Sequence, residues 1–141
     1  MITVELDNFS LKEICQSGQC FRMYETAENT YELIAGDKYL KMTQEGSIVN
    51  FYCSDMEFIC YWVPYFDIDA DYSSYIAKIN PRDTYLVEAA ECGSGIRILQ
   101  QDLWEMIITF LISQQNNISR IRGCVERLCE AYGEKKTSGE K

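Results

Sequence analysis

Four carboxamides stand in a row at Gln114-Gln115-Asn116-Asn117, directly after Ser113. Each amide offers both a hydrogen-bond donor and an acceptor, the same mixed code that nucleobase edges carry. Arg120 and Arg122 follow within one helical turn and a half, and an arginine at a helix N-terminus suits a phosphate or a base. The same residues also serve simpler ends, because Asn caps helices and arginines populate wet helix faces. A second candidate is Gly18, within Ser17-Gly18-Gln19-Cys20-Phe21-Arg22 just before a strand pattern. It reads either as a turn glycine or as a place where bare backbone meets a ligand at close range.

Other chemistries are excluded or weakly supported. The 141 residues contain no histidine, so Ser/His/Asp and Cys/His catalysis are ruled out within this chain. Seven cysteines make an odd number, and none forms a C-x-x-C pair; ordinary reduced thiols fit better than zinc ligands or a disulfide frame. Asp67, Asp69 and Asp71 cluster, but lack the glycine and distal Glu of a calcium loop. They read as a solvated turn or cap, and no metal site is expected. The net charge is −9, which opposes a general affinity for nucleic acid. Its distribution is uneven: the first 100 residues hold 16 acids and 7 bases, and the remainder six of each. A phosphate-facing surface therefore belongs in the last third.

The elements that hold these residues change character along the chain. Ile2, Val4 and Leu6 alternate with polar neighbours, and Phe21–Tyr24, Thr30–Ala35, Lys38–Met42 and Ile48–Tyr52 are short aromatic and branched runs. They predict strands of an antiparallel meander, with Gly36-Asp37 as a two-residue turn and Glu45-Gly46 separating the next pair. Ser54 and Glu57 form a capping-box pattern ahead of Phe58, Trp62 and Phe66, and Pro64 distorts or ends that helix. Tyr72 to Ile79 predicts a short helix, and Asn80-Pro81 a cap with proline in the first turn. Cys92-Gly93-Ser94-Gly95 is the clearest break. Asp102 and Glu105 open an apolar helix whose face, Leu103, Met106/Ile107 and Phe110/Leu111, predicts a central place in a core. Asn117 caps the next helix, with Ile118, Ile121, Val125, Leu128/Cys129 and Tyr132 as its stripe and Gly133 as its end. Arg120 points away from that stripe. Glu134 to Lys141 is polar. Two amphipathic helices cannot close a domain alone, so they pack onto the β-rich part or the natural protein continues. No apolar run reaches membrane-spanning length, and no signal peptide precedes the first strand; an intracellular protein is expected, in the cytoplasm of a prokaryote or the nucleus of a eukaryote.

Taken together, five blocks of this sequence resemble the 8-oxoguanine DNA glycosylases. Ser17 to Arg22 resembles their SGQxFR element, and Tyr65-Phe66-Asp67-Ile68-Asp69 their YFxLD element. Gly95 to Glu105 is similar to G(I/V)R(I/L)LRQDPxE, Phe110 to Ile121 to FICSxNNNIxRI, and Cys124 to Gly133 to MVERLCxxxG. The resemblance implies an α+β fold: a twisted antiparallel sheet with packed helices, like a TATA-binding-protein repeat, over residues 1–94. Residues 95–141 would then be the opening helices of an all-α helix-hairpin-helix glycosylase domain. It implies an enzyme that flips 8-oxoguanine out of duplex DNA, attacks the anomeric carbon with a lysine amine and cleaves the strand through a Schiff base. No cofactor is implied.

Position by position, Gly18 matches the glycine whose carbonyl accepts from the protonated N7 of 8-oxoguanine, where ordinary guanine has an acceptor. Phe110 matches a residue near the base pocket. Gln115 and Asn116 match the amides that fill the space left by the flipped base. Arg120 matches the reader of the orphaned cytosine, with Asn117 beside it at the DNA. Gln115 stands where asparagine is common, Met23 for tryptophan, Gln100 for arginine and Leu103 for proline. The family's lysine and aspartate lie beyond the region matched, and Lys135 and Lys136 sit outside any glycine hairpin. No catalytic residue is therefore assigned, and the chain alone is expected to be inactive. The alternative reading is a non-catalytic relative that holds DNA or a protein partner.

Overall fold

The computed structural model describes residues 1–137; Ser138 to Lys141, the end of the expected polar tail, lie outside the described residues. In chain order the elements are β1 (Ile2–Glu5), α1 (Leu11–Gln16), β2 (Met23–Ala27), β3 (Thr30–Ala35), β4 (Lys38–Glu45) and β5 (Ile48–Tyr52). A helical run follows: α2 (Asp55–Glu57), a π-helical turn (Phe58–Trp62) and α3 (Val63–Tyr65). Then come α4 (Tyr72–Ile76), α5 (Thr84–Cys92), α6 (Leu103–Ser113) and α7 (Ile118–Tyr132). The result is the α+β architecture expected. No helix among the described residues is long and apolar enough to cross a membrane.

The sheet has five antiparallel strands in the order β1-β5-β4-β3-β2. The last four form the predicted meander. β1 joins at the far edge, with Ile2 opposite Phe51 and Val4 opposite Val49. The β3–β4 turn is Gly36-Asp37, since Ala35 pairs with Lys38, and Gly36 takes a φ of 57° that suits a residue without Cβ. The next turn is Gly46-Ser47 rather than Glu45-Gly46, because Glu45 still pairs with Ile48.

One face of the sheet is covered. Leu33, Leu40, Met42, Val49 and Phe51 are buried against Leu11 and Ile14 of α1 and against Trp62 and Phe66. Each such burial contributes about 1.5–3 kcal/mol. The rings interlock: Phe9 meets Phe66 edge-on at 5.7 Å between centroids, and Phe51 meets Phe58 at a tilt at 4.9 Å. The opposite face leaves Ile34, Tyr39, Ile48 and Tyr52 exposed. Pro64 distorts its helix as predicted. It lacks an N–H and would crowd the Cys60 carbonyl in a continuous α-helix; the widened turn at Phe58–Trp62 directly precedes it.

Four local expectations need correction. Helix α1 was not anticipated, although Ser10 caps it and Leu11, Ile14 and Cys15 recur at helical spacing on its buried side. Phe21 is not a strand residue; β2 begins at Met23, and Phe21 is buried with Ile121 and Val125 of α7. The cap ahead of α5 is Asp83, whose carboxylate accepts from the Leu86 N–H at 3.1 Å, while Asn80 closes a local turn onto the Arg82 N–H. The apolar face of α6 is not central to a core. Leu103, Trp104, Met106, Ile107, Phe110 and Leu111 are exposed, and the residue it buries is Thr109. The reason is the docking of its other face: Ile112 packs beside Phe21, Ile121 and Val125. Glu105, on the same face, lies 3.9 Å from Arg22 and bonds the Gly36 backbone.

Candidate nucleic-acid interface

The amide bend is built by its own side chains. Asn116 Nδ2 donates to the Ile112 carbonyl at 3.1 Å, closing the end of α6, and its Oδ1 accepts from the Asn117 N–H at 3.0 Å. Asn117 Oδ1 accepts from the Arg120 N–H at 3.0 Å, the predicted cap of α7. Gln114 Nε2 reaches the Phe110 carbonyl at 3.3 Å. Gln115 differs. Its backbone is left-handed, with a φ of 51°, and its side chain is exposed without a hydrogen-bond partner among the described residues. Three amides shape the bend, and the fourth is held out to solvent.

The two arginines also part ways. Arg120 is exposed in the first turn of α7, and its guanidinium has no partner among the described residues. Arg122 turns inward. Its Nη2 donates to the Cys15 carbonyl at 3.1 Å, at the C-terminal end of α1, and its guanidinium lies 5.5 Å from the centre of the Tyr24 ring. The Tyr24 hydroxyl donates to Glu126 at 3.0 Å, and burial together with that carboxylate pushes its pKa up to about 12. Arg122 is thus committed to the contact between α7 and the sheet domain.

Gly18 belongs to the same neighbourhood. Its φ is 75°, and a Cβ built on it would stand 3.8 Å from Ile118 Cδ1. That is ordinary contact, so the backbone conformation, not space, calls for glycine. The Gly18 carbonyl is half-buried and accepts no hydrogen bond among the described residues. The thiols on either side are poor nucleophiles: burial pushes both Cys15 and Cys20 up from 9.0, with Arg122 partly offsetting this at Cys15.

The structure therefore gathers Gly18, the bend with Gln115, Asn116 and Asn117, and Arg120 around the start of α7. Phe110 stands apart from them. Its ring is on the outward face of α6 and 64% exposed, and it joins the bend through its backbone carbonyl.

Sequence reasoning missed the residues that hold this arrangement. Gln19 and Gln101 tie the Gly18 loop to the extended segment 96–102: Gln19 Nε2 donates to the Arg97 carbonyl at 2.8 Å and Gln101 Nε2 to the Gln19 carbonyl at 2.8 Å. Arg97 is 3% exposed. It donates to the carbonyls of Ala70 and Asp7 at 2.9 and 3.0 Å and stacks 4.3 Å from the Tyr72 ring centre. Burial lowers its pKa, and no carboxylate is bonded to it. Asp67 receives the Tyr72 hydroxyl at 2.9 Å, which in turn accepts the Ile98 N–H at 3.0 Å. For Gln19, Asp67, Arg97 and Gln101 the only signal was their presence inside the quoted blocks, and Tyr72 lies outside them.

Comparison with known proteins agrees with this architecture. The family model of the 8-oxoguanine DNA glycosylase N-terminal domain matches residues 1–107. An N-glycosylase/DNA lyase of Saccharomyces cerevisiae is 27% identical over 147 residues, covering 94% of this chain and 39% of the yeast protein. Among solved structures, MBOgg1 in complex with a low-affinity DNA ligand superposes with a TM-score of 0.89 at 34% identity, over 98% of this chain and 48% of that one. The 8-oxoguanine glycosylase/lyase of Clostridium acetobutylicum gives a TM-score of 0.88 at 35% identity in its apo form, over 97% of this chain and 48% of that one. In its complex with double-stranded DNA carrying cytosine opposite 8-oxoguanine, the values are again 0.88 and 35%, over 96% and 47%. The chain thus spans less than half the length of these relatives. With a match over most of its residues and a shared fold, the chain belongs to the 8-oxoguanine DNA glycosylase N-terminal domain family.

Proposed function

We propose that this chain supplies the lesion-reading portion of an 8-oxoguanine DNA glycosylase/AP lyase acting on duplex DNA. Residues 1–94 form the β-rich N-terminal domain and residues 95–141 the opening helices of the glycosylase domain. Gly18 reads the damaged base through its carbonyl, Phe110 and Asn116 border the base, and Gln115 enters the gap it leaves. Arg120, in the helical turn that Asn117 caps, contacts the opposite cytosine. The observation that carries this reading is the half-buried Gly18 carbonyl, unpaired and held beside the start of α7, with the free amide of Gln115 and the free guanidinium of Arg120 around the same helix end. An unpaired backbone carbonyl is a free acceptor, and a protonated N7 is a fitting donor for it. Ordinary guanine would oppose it with a second acceptor.

This reading assigns no amine nucleophile among the described residues. Lys136 is paired with Asp37 at 3.6 Å, against the β3–β4 turn. The test has two arms. Titration with duplexes containing 8-oxoguanine or guanine opposite cytosine is expected to show tighter binding to the former; equal binding by the chain would count against the assignment of Gly18. Borohydride trapping with the lesion duplex is expected to give no covalent adduct, and an adduct abolished by substituting Lys135 or Lys136 would overturn the assignment of chemistry elsewhere.

A further inference from the structure

The peptide joining Gly18 to Gln19 has no hydrogen bond of its own: neither the Gly18 carbonyl nor the Gln19 N–H is paired among the described residues. Nothing within that peptide therefore decides which way its carbonyl points. Glycine adds freedom, since it tolerates both hands of φ. The residue beside it is held with unusual completeness. Gln19 Nε2 donates to Ser17 Oγ at 3.1 Å and to the Arg97 carbonyl at 2.8 Å, using both amide hydrogens. Gln19 Oε1 accepts from the Leu99 N–H at 3.1 Å, and the Gln19 carbonyl accepts from Gln101 Nε2 at 2.8 Å.

We infer that Gln19 is a positioning residue that fixes the plane of the Gly18–Gln19 peptide and so makes Gly18 present an acceptor rather than a donor. With the side chain and the carbonyl carbon of Gln19 both held, tetrahedral geometry at its Cα leaves the nitrogen a single place. Flipping the peptide would move that nitrogen and break the clamp. The distinction matters because a flip exchanges C=O for N–H at the same spot. An N–H there would suit the N7 acceptor of undamaged guanine. The clamp thus protects the sign of the readout and not merely the shape of the loop. This inference rests on the reading of Gly18 as the lesion-facing group.

The experiment measures binding of the 141-residue chain to duplexes with 8-oxoguanine or guanine opposite cytosine, for Gln19→Ala and Gln19→Glu, with thermal unfolding alongside. Gln19→Glu keeps the acceptor for Leu99 and loses both donors. The expected result is a preference for the lesion reduced by about tenfold, the scale of one base-reading contact. Gln101→Leu, which releases only the Gln19 carbonyl, is expected to move the preference the same way and serves if the Gln19 variants fail to fold. Preference retained in folded variants would overturn the role of Gln19 and leave the lesion reading standing. Equal loss on both duplexes would show a merely structural role and also overturn it. No preference in the unsubstituted chain would overturn the lesion reading and this inference with it.

Discussion

Gly18 and Ile118 face each other across the joint between the sheet domain and the helical segment: a Cβ on the glycine would stand 3.8 Å from the isoleucine Cδ1. They are a hundred positions apart in sequence, and each neighbours one half of the proposed recognition edge. Phe21, buried with Ile121 and Val125, and Arg122, bonded to the Cys15 carbonyl, secure the same joint on either side. These contacts tie the Gly18 loop to the start of α7.

The space beside Gly18 admits a methyl group, but its φ of 75° does not suit one. Gly18→Ala is expected to lower stability by about 1–2 kcal/mol, the cost of a left-handed conformation for an L-residue. Urea unfolding measures this. No change would show that the loop relaxes to a negative φ.

Gln115 occupies a left-handed conformation at an exposed site. Asn adopts that region several-fold more readily than most residues. Gln115→Asn is expected to raise stability, by a few tenths of a kcal/mol and at most about 1. A lower unfolding midpoint would indicate that the longer amide makes contacts that outweigh its backbone preference.

Glu105 sits at the docked face of α6, where burial raises its pKa from 4.5, opposed by Arg22 and by the Gly36 N–H. A carboxyl with a raised folded pKa favours folding in its protonated form. That contribution is full below pH 4.5 and is lost as pH climbs through the raised value. Glu105→Gln keeps an acceptor for Gly36 and cannot ionise. Its stability relative to the parent is expected to improve as pH rises through that window and to level off above it. A parallel pH profile for the two proteins would refute the assignment.

Arg120 and Arg122 are separable by salt. If Arg120 meets DNA, Arg120→Ala is expected to lower the salt slope of duplex binding by about 0.9, as for one lost phosphate contact, or to relax the preference for cytosine if it reads the base. Arg122→Ala is expected to leave the slope alone and reduce stability, because its guanidinium is spent on Cys15 and Tyr24. A slope change with Arg122→Ala would place that guanidinium at the DNA instead.

Several local features were readable from residue order. The Gly36-Asp37 turn and the Pro64 distortion appear where expected. The caps at Ser54, Asp102 and Asn117 also appear, each accepting the N–H three residues on. The capping boxes are only half formed. Glu57 accepts from the Trp62 indole at 3.0 Å, and Glu105 turns to the β3–β4 hairpin. Gly133 ends α7, but at a φ of −76°. Glycine is needed there because a Cβ would stand 2.3 Å from the Cys129 carbonyl oxygen, not because the chain turns left-handed.

The family blocks were legible too, although the work most of their residues do was not. Gln19, Tyr65, Asp67, Arg97 and Gln101 join three blocks to one another by hydrogen bonds over 30 to 82 positions. No periodicity within a block encodes such partners.

Turns, caps and helix breaks depend on interactions reaching three or four residues, so the amino-acid order of this chain suffices to specify them. The side of α6 that meets the rest of the protein is a different matter. Its hydrophobic pattern marks Leu103, Met106, Ile107, Phe110 and Leu111 as one stripe, yet the docked face carries Glu105, Thr109 and Ile112. Which face docks depends on where Gly36, Arg22 and Phe21 stand once the sheet is built. That long-range placement sets Gly18 against Ile118 and leaves Gln115 and Arg120 free.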